Sequence, residues 1–265
     1  MQYIKSTDCG SYREENQDRA EVFENEIALL AVLCDGMGGH FGGSLAASIT
    51  IETFRKQFSL LSANVNQVYD WFKQTIKLAK LNMLTEAGDN DLKRDMGTTV
   101  TAAVIFKAKN DIIVFNIGDS RTYLFNGELR QITVDHNLMN YYIMKDKISE
   151  FEASQMPGAH ALTSALGPSK KTNIEAFNID VSPQPEPRKW WFKKNAADSQ
   201  TINQLKKMYL ILTSDGIHDY ITKPHFESIV SNEKVSLEGK AKDLIQSALR
   251  GGSLDNLTCI IVEVA

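Results

Sequence analysis

Residues 27–40 read IALLAVLCDGMGGH, an apolar run that ends abruptly in an aspartate and a group of glycines. Such a short, continuous apolar run is typical of a buried β-strand and far too short to cross a membrane. A single Asp-Gly pair after a strand usually marks a hairpin turn. Here further glycines and then a helical pattern follow Gly36, so a simple hairpin fits poorly. Asp35, at the end of a buried strand, is therefore the first indication of a functional site.

Aspartates stand at the ends of other apolar runs as well. Two later runs lead to Asp119 and Asp215, Asp255 stands just before the last run, and Asp18 precedes the first. Carboxylates at the ends of several buried strands can converge on one rim of a sheet, where they repel each other unless cations lie between them. Oxygen ligands with few Cys or His side chains select Mg²⁺ or Mn²⁺ over zinc. Two such ions about 3.5–4 Å apart would suit phosphoryl chemistry.

Arg13 complements this set of acids. A guanidinium can hold a phosphate through two hydrogen bonds, which a lysine cannot do. A lone arginine near an N-terminus is more often a solvated surface residue, and the short spacing to Asp18 is what favours phosphate binding here. The sequence contains no GxxxxGK[ST] phosphate loop and no GxSxG nucleophile elbow, and Phe41 stands where a GxGxxG motif needs its last glycine.

Strand-like runs dominate the chain, with two long helical patterns, Ser44–Leu61 and Val65–Ala87, between the first two of them. Ser44 is the expected N-cap of the first helix. Because strands and helices do not alternate regularly, an α+β layered sheet–helix fold is expected rather than a doubly wound parallel sheet. The expected strands are Ile27–Cys34, Thr98–Phe106, Asp111–Ile117, Arg121–Phe125, Met208–Thr213 and Leu257–Val264, and later helices are expected at 137–147, 224–232 and 236–250.

Composition excludes several classes of protein. The 265 residues carry a formal net charge of −4, which argues against a dedicated nucleic-acid binder or a polybasic membrane protein. An odd count of three cysteines without a CxxC pair makes a disulfide framework or a zinc site improbable. The N-terminus has no signal-peptide core, so a cytoplasmic protein without a membrane span is expected.

The aspartates belong to short motifs that follow one another in a fixed order. These are GSYREENQD (10–18), DGMGGH (35–40), MGTT (96–99), NIGDSR (116–121), DH (135–136), LTSALG (162–167), SDG (214–216) and GSLDN (252–256). Each motif alone is weak, but the ordered set resembles the metal-dependent type 2C protein serine/threonine phosphatases, and its NQD and DGMGGH forms resemble the bacterial branch. The resemblance implies a four-layer α-β-β-α sandwich, two antiparallel sheets flanked by helices, within a single catalytic domain, residues 1–265.

The resemblance also implies a centre of two Mn²⁺ or Mg²⁺ ions at one end of the sandwich. Asp35 would bridge the ions, and the Gly36 carbonyl would bind one of them. Asp215 and Asp255 would complete the other, while Asp18 would support the cluster directly or through water.

Further implied roles concern the substrate. Arg13 would bind its phosphate, and Asp119 matches a residue that helps to hold a third, weaker ion in bacterial members. A metal-bridging hydroxide would attack phosphorus directly, without a phosphoenzyme. The partners implied are phosphorylated proteins, substrates of a cognate serine/threonine kinase.

The histidines divide into three groups. His40 is a candidate proton donor to the leaving group, a metal-bound water is an equal alternative, and a bond to the glycine-rich turn is the structural one. His136 is expected to be a structural turn residue. Ordinary surface or packing roles are assigned to His160, His218 and His225.

Several departures from the family pattern bear on substrate choice. The segment 137–160, which corresponds to the family's flap beside the active site, matches poorly, and Ser164 replaces an arginine. A Pro/Trp-rich basic insert at about 183–205 is suited to an acidic or phosphorylated partner, or to packing its own aromatic residues on the surface. A catalytically weak member that acts as a phosphoprotein-binding regulatory module is the alternative function, and a hydrolase of another phosphoester is a third. The sequence leaves the oligomeric state open.

Overall fold

A computed structural model gives the structure of residues 1–38, 42–108, 111–179 and 207–264. His40 and the insert 183–205 lie outside these described residues, so the hypotheses about them stay predictions. The strands are β1 (Gln2–Asp8), β2 (Arg19–Glu24), β3 (Ala28–Cys34), β4 (Gly36–Met37), β5 (Gly97–Thr98), β6 (Val100–Phe106), β7 (Asp111–Ile117), β8 (Arg121–Phe125), β9 (Leu129–Gln131), β10 (Glu175–Ile179), β11 (Tyr209–Thr213) and β12 (Leu257–Glu263). The helices are α1 (Gly42–Phe58), α2 (Val68–Ala87), α3 (Asp91–Arg94), α4 (Leu138–Asp146), α5 (Glu150–Ser154), α6 (Asp215–His218), α7 (Lys223–Ser231) and α8 (Leu237–Arg250).

Ten of these strands form two antiparallel sheets of five strands each. Sheet A has the order β1-β12-β11-β8-β9, and sheet B has the order β10-β7-β6-β3-β2. Alternate residues of a strand point to opposite faces. In β3, for example, Leu29, Ala31 and Leu33 contribute to the apolar core shared with sheet A, whereas Leu30 and Val32 contribute to the core shared with α1 and α2. Every residue of β3 is therefore buried.

Helices cover the outer face of each sheet. Helices α1 and α2 pack on sheet B, and residues of α6, α7 and α8 share an apolar core with sheet A. The molecule is thus an α-β-β-α sandwich, which confirms the predicted fold class. Among the described helices the longest is α2, with 20 residues, and none has an apolar stretch sufficient for a membrane span.

The strand register explains how distant aspartates come to one end of the sandwich. In sheet B, β2 pairs antiparallel with β3, and Arg19 lies opposite Cys34. Asp18, which precedes β2, and Asp35, which follows β3, consequently leave the sheet at the same edge.

Sheet A repeats this geometry. Thr213 at the end of β11 lies opposite Arg121, the first residue of β8, and opposite Cys259 near the start of β12. The turn between β7 and β8 crosses from sheet B to sheet A at this same end. At this edge, Asp119 lies in the turn between β7 and β8, Asp215 begins α6, and Asp255 lies in the loop before β12.

The sequence predicted most of the central elements. The expected strands correspond to β3, β6, β7, β8, β11 and β12, each within two residues at either end. The predicted apolar face of α2 is buried as expected. The prediction that Ser44 caps α1 is wrong, because the helix already includes Gly42 and Gly43. Residues 65–67 form a separate 3-10 turn, capped by the side chain of Asn64, before α2.

Substitution of Phe72 tests the packing of α2 on sheet B. The Phe72 ring is fully buried and stacks on Phe115 of β7 with centroids 4.0 Å apart. Phe72→Ala should lower the free energy of unfolding by about 3–5 kcal/mol, because it leaves a cavity between helix and sheet. The matched control is Leu81→Ala on the same helix, since Leu81 is 56% exposed. Urea denaturation that gave equal losses for the two variants would contradict this packing.

Candidate active site

A cleft of about 800 Å³ opens at the end of the sandwich where the aspartate loops meet. Most of the predicted site residues line it, whereas Asp18 is buried, with 3% of its surface exposed. The charged and polar side chains of the lining are those of Arg13, Glu14, Glu15, Gln17, Asp35, Thr99, Asp119, His160, Asp215, Asp255 and Asn256, and the Gly36 backbone also contributes. The structure therefore brings together the residues that the motifs singled out, except His40, which lies outside the described part.

Asp35 is held through its backbone by the MGTT segment. Its N–H donates to the Thr99 hydroxyl at 2.9 Å, and its carbonyl accepts the Thr99 N–H at 2.8 Å. The hydroxyl of Thr98 donates to the same carbonyl at 2.9 Å. A Cβ at Gly36 would collide with the Gly43 carbonyl, so only glycine allows the chain to pass this close to α1. The Asp35 side chain is thereby fixed in the cleft.

The hydroxyl of Ser214, in the SDG segment 214–216, connects this segment to Asp18. It donates to Asp18 Oδ2 at 2.8 Å and accepts the Thr258 N–H at 3.0 Å. Asp215 follows directly, and its Oδ1 atom is buried without a hydrogen-bond partner among the described residues. A buried carboxylate oxygen without a partner is costly unless a further group binds it.

The Asn256 side chain holds the N-terminal loop next to Asp255. Its side-chain NH₂ donates to the carbonyls of Cys9 and Glu15 at 2.9 and 3.0 Å, and its Oδ1 accepts the Gln17 N–H at 2.8 Å. The loop so held carries Arg13, which donates to Asp255 Oδ2 at 2.7 Å. Residues more than 240 positions apart thus form one wall of the cleft.

Mutual repulsion and burial dominate the electrostatics of the cleft. Burial, together with the neighbouring carboxylates, raises the pKa of Asp35 well above its usual range. Burial also raises the pKa of Asp18 to about 7, of Asp119 to about 8 and of Asp215 to about 6. Nearby negative charges, Asp215 or Asp255 among them, add to each of these increases. Cations bound among these carboxylates would therefore relieve their mutual repulsion.

The chain is similar in sequence to known phosphatases. A family model described as protein phosphatase 2C matches residues 11–249. The serine/threonine phosphatase stp of Listeria welshimeri is 30% identical over 263 residues, 97% of this chain and 93% of that protein. The chain belongs to the protein phosphatase 2C family. Protein phosphatase PhpP of Streptococcus pneumoniae is 29% identical over 267 residues, 100% of this chain and 98% of its own length.

Solved structures of phosphatases agree with this assignment. The S. agalactiae serine/threonine phosphatase has a TM-score of 0.82 at 26% identity, with 100% of this chain and 99% of that chain covered. For the phosphatase Stp1 from Staphylococcus aureus, the TM-score is 0.81 at 27% identity, with coverages of 99% and 94%. The resemblance seen in the motifs is confirmed, and the names of these relatives support a protein phosphatase function.

The histidines that the sequence assigned to ordinary surface or packing roles in this phosphatase-family chain include one that departs from that expectation and one that follows it. His160 lines the cleft, although the sequence offered only an ordinary surface or packing role for it. Its place depends on how residues 137–162 return to the sheet edge, which no local pattern shows. His218 does pack in the interior: Nδ1 lies 2.9 Å from the Thr213 hydroxyl, and burial lowers its pKa well below the usual value.

A larger cleft, of about 990 Å³, lies elsewhere, beside the first turn of α2. Its lining is mainly apolar and amide, with Tyr69 and Phe115 among the larger side chains and Glu26 and Asp111 as its acids. No converging set of motif aspartates lines it in the described part of the chain. The smaller, carboxylate-lined cleft is therefore the candidate active site.

The raised pKa values make the stability of the metal-free protein depend on pH. Folded Asp119 keeps its proton up to about pH 8, whereas its ordinary value is 3.8, so the fold loses stability as pH rises between these values. In EDTA at pH 8, Asp119→Asn should raise the free energy of unfolding by about 1–3 kcal/mol, and the gain should shrink at pH 5. The control is Asp243→Asn on the exposed side of α8. A destabilised Asp119→Asn protein at pH 8 in urea denaturation would contradict this electrostatic account.

Proposed function

We propose that this chain hydrolyses phosphoserine and phosphothreonine in proteins at a centre of two Mn²⁺ or Mg²⁺ ions in the carboxylate-lined cleft. The observation that carries the proposal is the convergence of Asp35, Asp119, Asp215 and Asp255 with Arg13 on one cleft. Membership of the protein phosphatase 2C family supports the substrate class. The motifs of both halves of the chain meet in this cleft, which supports a single catalytic domain over residues 1–265.

The residues present fit such ions. The donors are carboxylate and carbonyl oxygens, which Mg²⁺ and Mn²⁺ prefer, and the buried Asp215 Oδ1 needs a partner. Asp35, Asp215, Asp255 and the Gly36 carbonyl would hold the ions. When bound, the ions would supply an activated water and neutralise charge on the phosphate.

Water would complete the coordination of each ion. In the described residues, no three His, Cys, Asp or Glu side chains lie together closely enough to hold an ion by themselves. Mg²⁺ commonly binds through one or two carboxylates and keeps several waters. Asp18, buried and bonded to Ser214, would support the cluster from behind rather than face the substrate.

The chain's own side chains would bind and orient the phosphate. Arg13 lies half exposed at the cleft wall, and its bond to Asp255 directs the guanidinium into the cleft. From there it can bind two phosphate oxygens and fix the phosphorus for in-line attack by water. The alkoxide that leaves must take a proton, and His40 remains the candidate donor, with water as its alternative. The segment 137–160, which includes α4 and α5, would act as the flap beside the substrate.

A metal-dependence assay tests the proposal. Purified protein with Mn²⁺ should hydrolyse p-nitrophenyl phosphate and a phosphothreonine peptide, and EDTA should stop both reactions. Asp35→Asn should lower kcat by at least about a hundredfold, because it removes a carboxylate that would hold the ions. Asp243→Asn is the matched control. Undiminished turnover by Asp35→Asn contradicts the assignment, and Mn²⁺ binding without turnover of any phosphorylated substrate favours the regulatory-module alternative.

Asp119 has a separable role, in which it holds a third ion more weakly. Asp119→Ala should therefore slow turnover by about tenfold or more while calorimetry still detects two tightly bound Mn²⁺ ions. Loss of all metal binding in this variant would show that Asp119 belongs to the two-ion core instead.

A further inference from the structure

His136 forms hydrogen bonds with both backbone polar groups of Gly118, the residue before Asp119. Its ring Nδ1 accepts the Gly118 N–H at 3.2 Å, and its own N–H donates to the Gly118 carbonyl at 3.0 Å. The ring is 8% exposed, so these bonds are shielded from water. This reciprocal pair fixes the peptide units on either side of Gly118.

Gly118 sets the direction in which the next side chain leaves the turn. Its φ of +102° lies in the region that favours glycine, and a Cβ would press on the Thr99 side chain. Asn116 donates to the same Gly118 carbonyl at 3.0 Å, so the carbonyl is held from two sides. The N–H of Gly118, in contrast, has the His136 ring as its acceptor. Asp119 follows directly, and its carboxylate is aimed by this turn.

The other contacts of His136 are with the segment that follows the flap and with β10. Its carbonyl accepts the Thr163 N–H at 2.8 Å, next to Leu162, which lines the cleft. The other ring nitrogen, Nε2, is buried and lies 3.4 Å from Glu175 Oε2 on β10, without a hydrogen bond in the described part of the chain. His136 thus joins the turn before Asp119 to the segment that returns from the flap.

We propose that His136 is a positioning residue that holds the Gly118 turn so that Asp119 can bind its own divalent ion. The inference rests on the proposed function, because it needs the ion at Asp119. The neighbouring Asp135 does not hold the Gly118 turn, because its carboxylate forms an ion pair with Arg121 at 2.6 Å. Partners that orient a metal ligand commonly change metal affinity by about 10–100-fold when they are removed.

The variants are chosen to separate positioning from general stability. His136→Leu keeps a comparable bulk and removes the acceptor, whereas His136→Asn keeps an acceptor close to the Nδ1 position. Asp119→Ala and the double variant His136→Leu/Asp119→Ala complete a double-mutant cycle. His225→Leu, on α7 and far from the turn, is the control for loss of a histidine.

Two measurements report on these variants without relying on activity. Hydrogen exchange followed by NMR should show a Gly118 amide that is protected in the wild type and in His136→Asn, and that exchanges at least about tenfold faster in His136→Leu. Calorimetry with Mn²⁺ should show the third, weakest ion bound about tenfold less tightly in His136→Leu, with the two tight ions unchanged. In the Asp119→Ala background, His136→Leu should have no further effect on metal binding.

The outcomes separate this inference from the proposed function. A wild type that binds no Mn²⁺ and shows no turnover sinks the proposed function itself. A wild type that binds Mn²⁺ and turns over, with His136→Leu unchanged in Gly118 exchange and in third-ion affinity, overturns only the role of His136. Equal weakening of all three ions would also overturn it, because a general structural defect then explains the loss.

Discussion

Repulsion between buried carboxylates is the constraint on which the rest of this structure depends. The cleft collects Asp35, Asp119, Asp215 and Asp255 at one end of the sandwich, with Asp18 buried behind them. Unpaired charges in such surroundings are costly, and the raised pKa values of Asp18, Asp35, Asp119 and Asp215 express that cost. This electrostatic cost would be offset by divalent cations, because each cation attracts the carboxylates that otherwise repel one another.

The surrounding hydrogen bonds hold the carboxylates in place against this repulsion. Thr99 fixes the backbone of Asp35, Ser214 bonds to Asp18, and Asn256 fastens the loop that carries Arg13. These residues belong to the same short motifs as the aspartates, although they are not themselves expected to bind metal. The motifs are therefore best understood as units, each made of a functional side chain and the neighbours that set its direction.

Much of this arrangement could be predicted from the sequence. Each continuous apolar run indicated a strand buried on both faces, and the first one or two residues after it marked the sheet edge, so Asp35, Asp119 and Asp215 were found from the local pattern. The outer strands β1, β2 and β10 were not, because their exposed and half-buried residues give no continuous apolar run.

Other features depend on contacts that no local pattern encodes. His160 reaches the cleft only because the chain returns from α5 to the sheet edge. The link between His136 and Gly118 joins residues 18 positions apart, and the bond between Arg13 and Asp255 joins residues 242 apart. The motifs contain His136, Gly118, Arg13 and Asp255 but not His160, and only the geometry shows which of their atoms are in contact.

The most direct test of the central claim is a crystal structure of the protein grown with Mn²⁺, with anomalous scattering recorded to locate the ions. We expect two strong anomalous peaks in the cleft, close to the carboxylates of Asp35, Asp215 and Asp255, with the Gly36 carbonyl among the ligands. A cleft without peaks at millimolar Mn²⁺, or ions bound only at other surfaces, would contradict it.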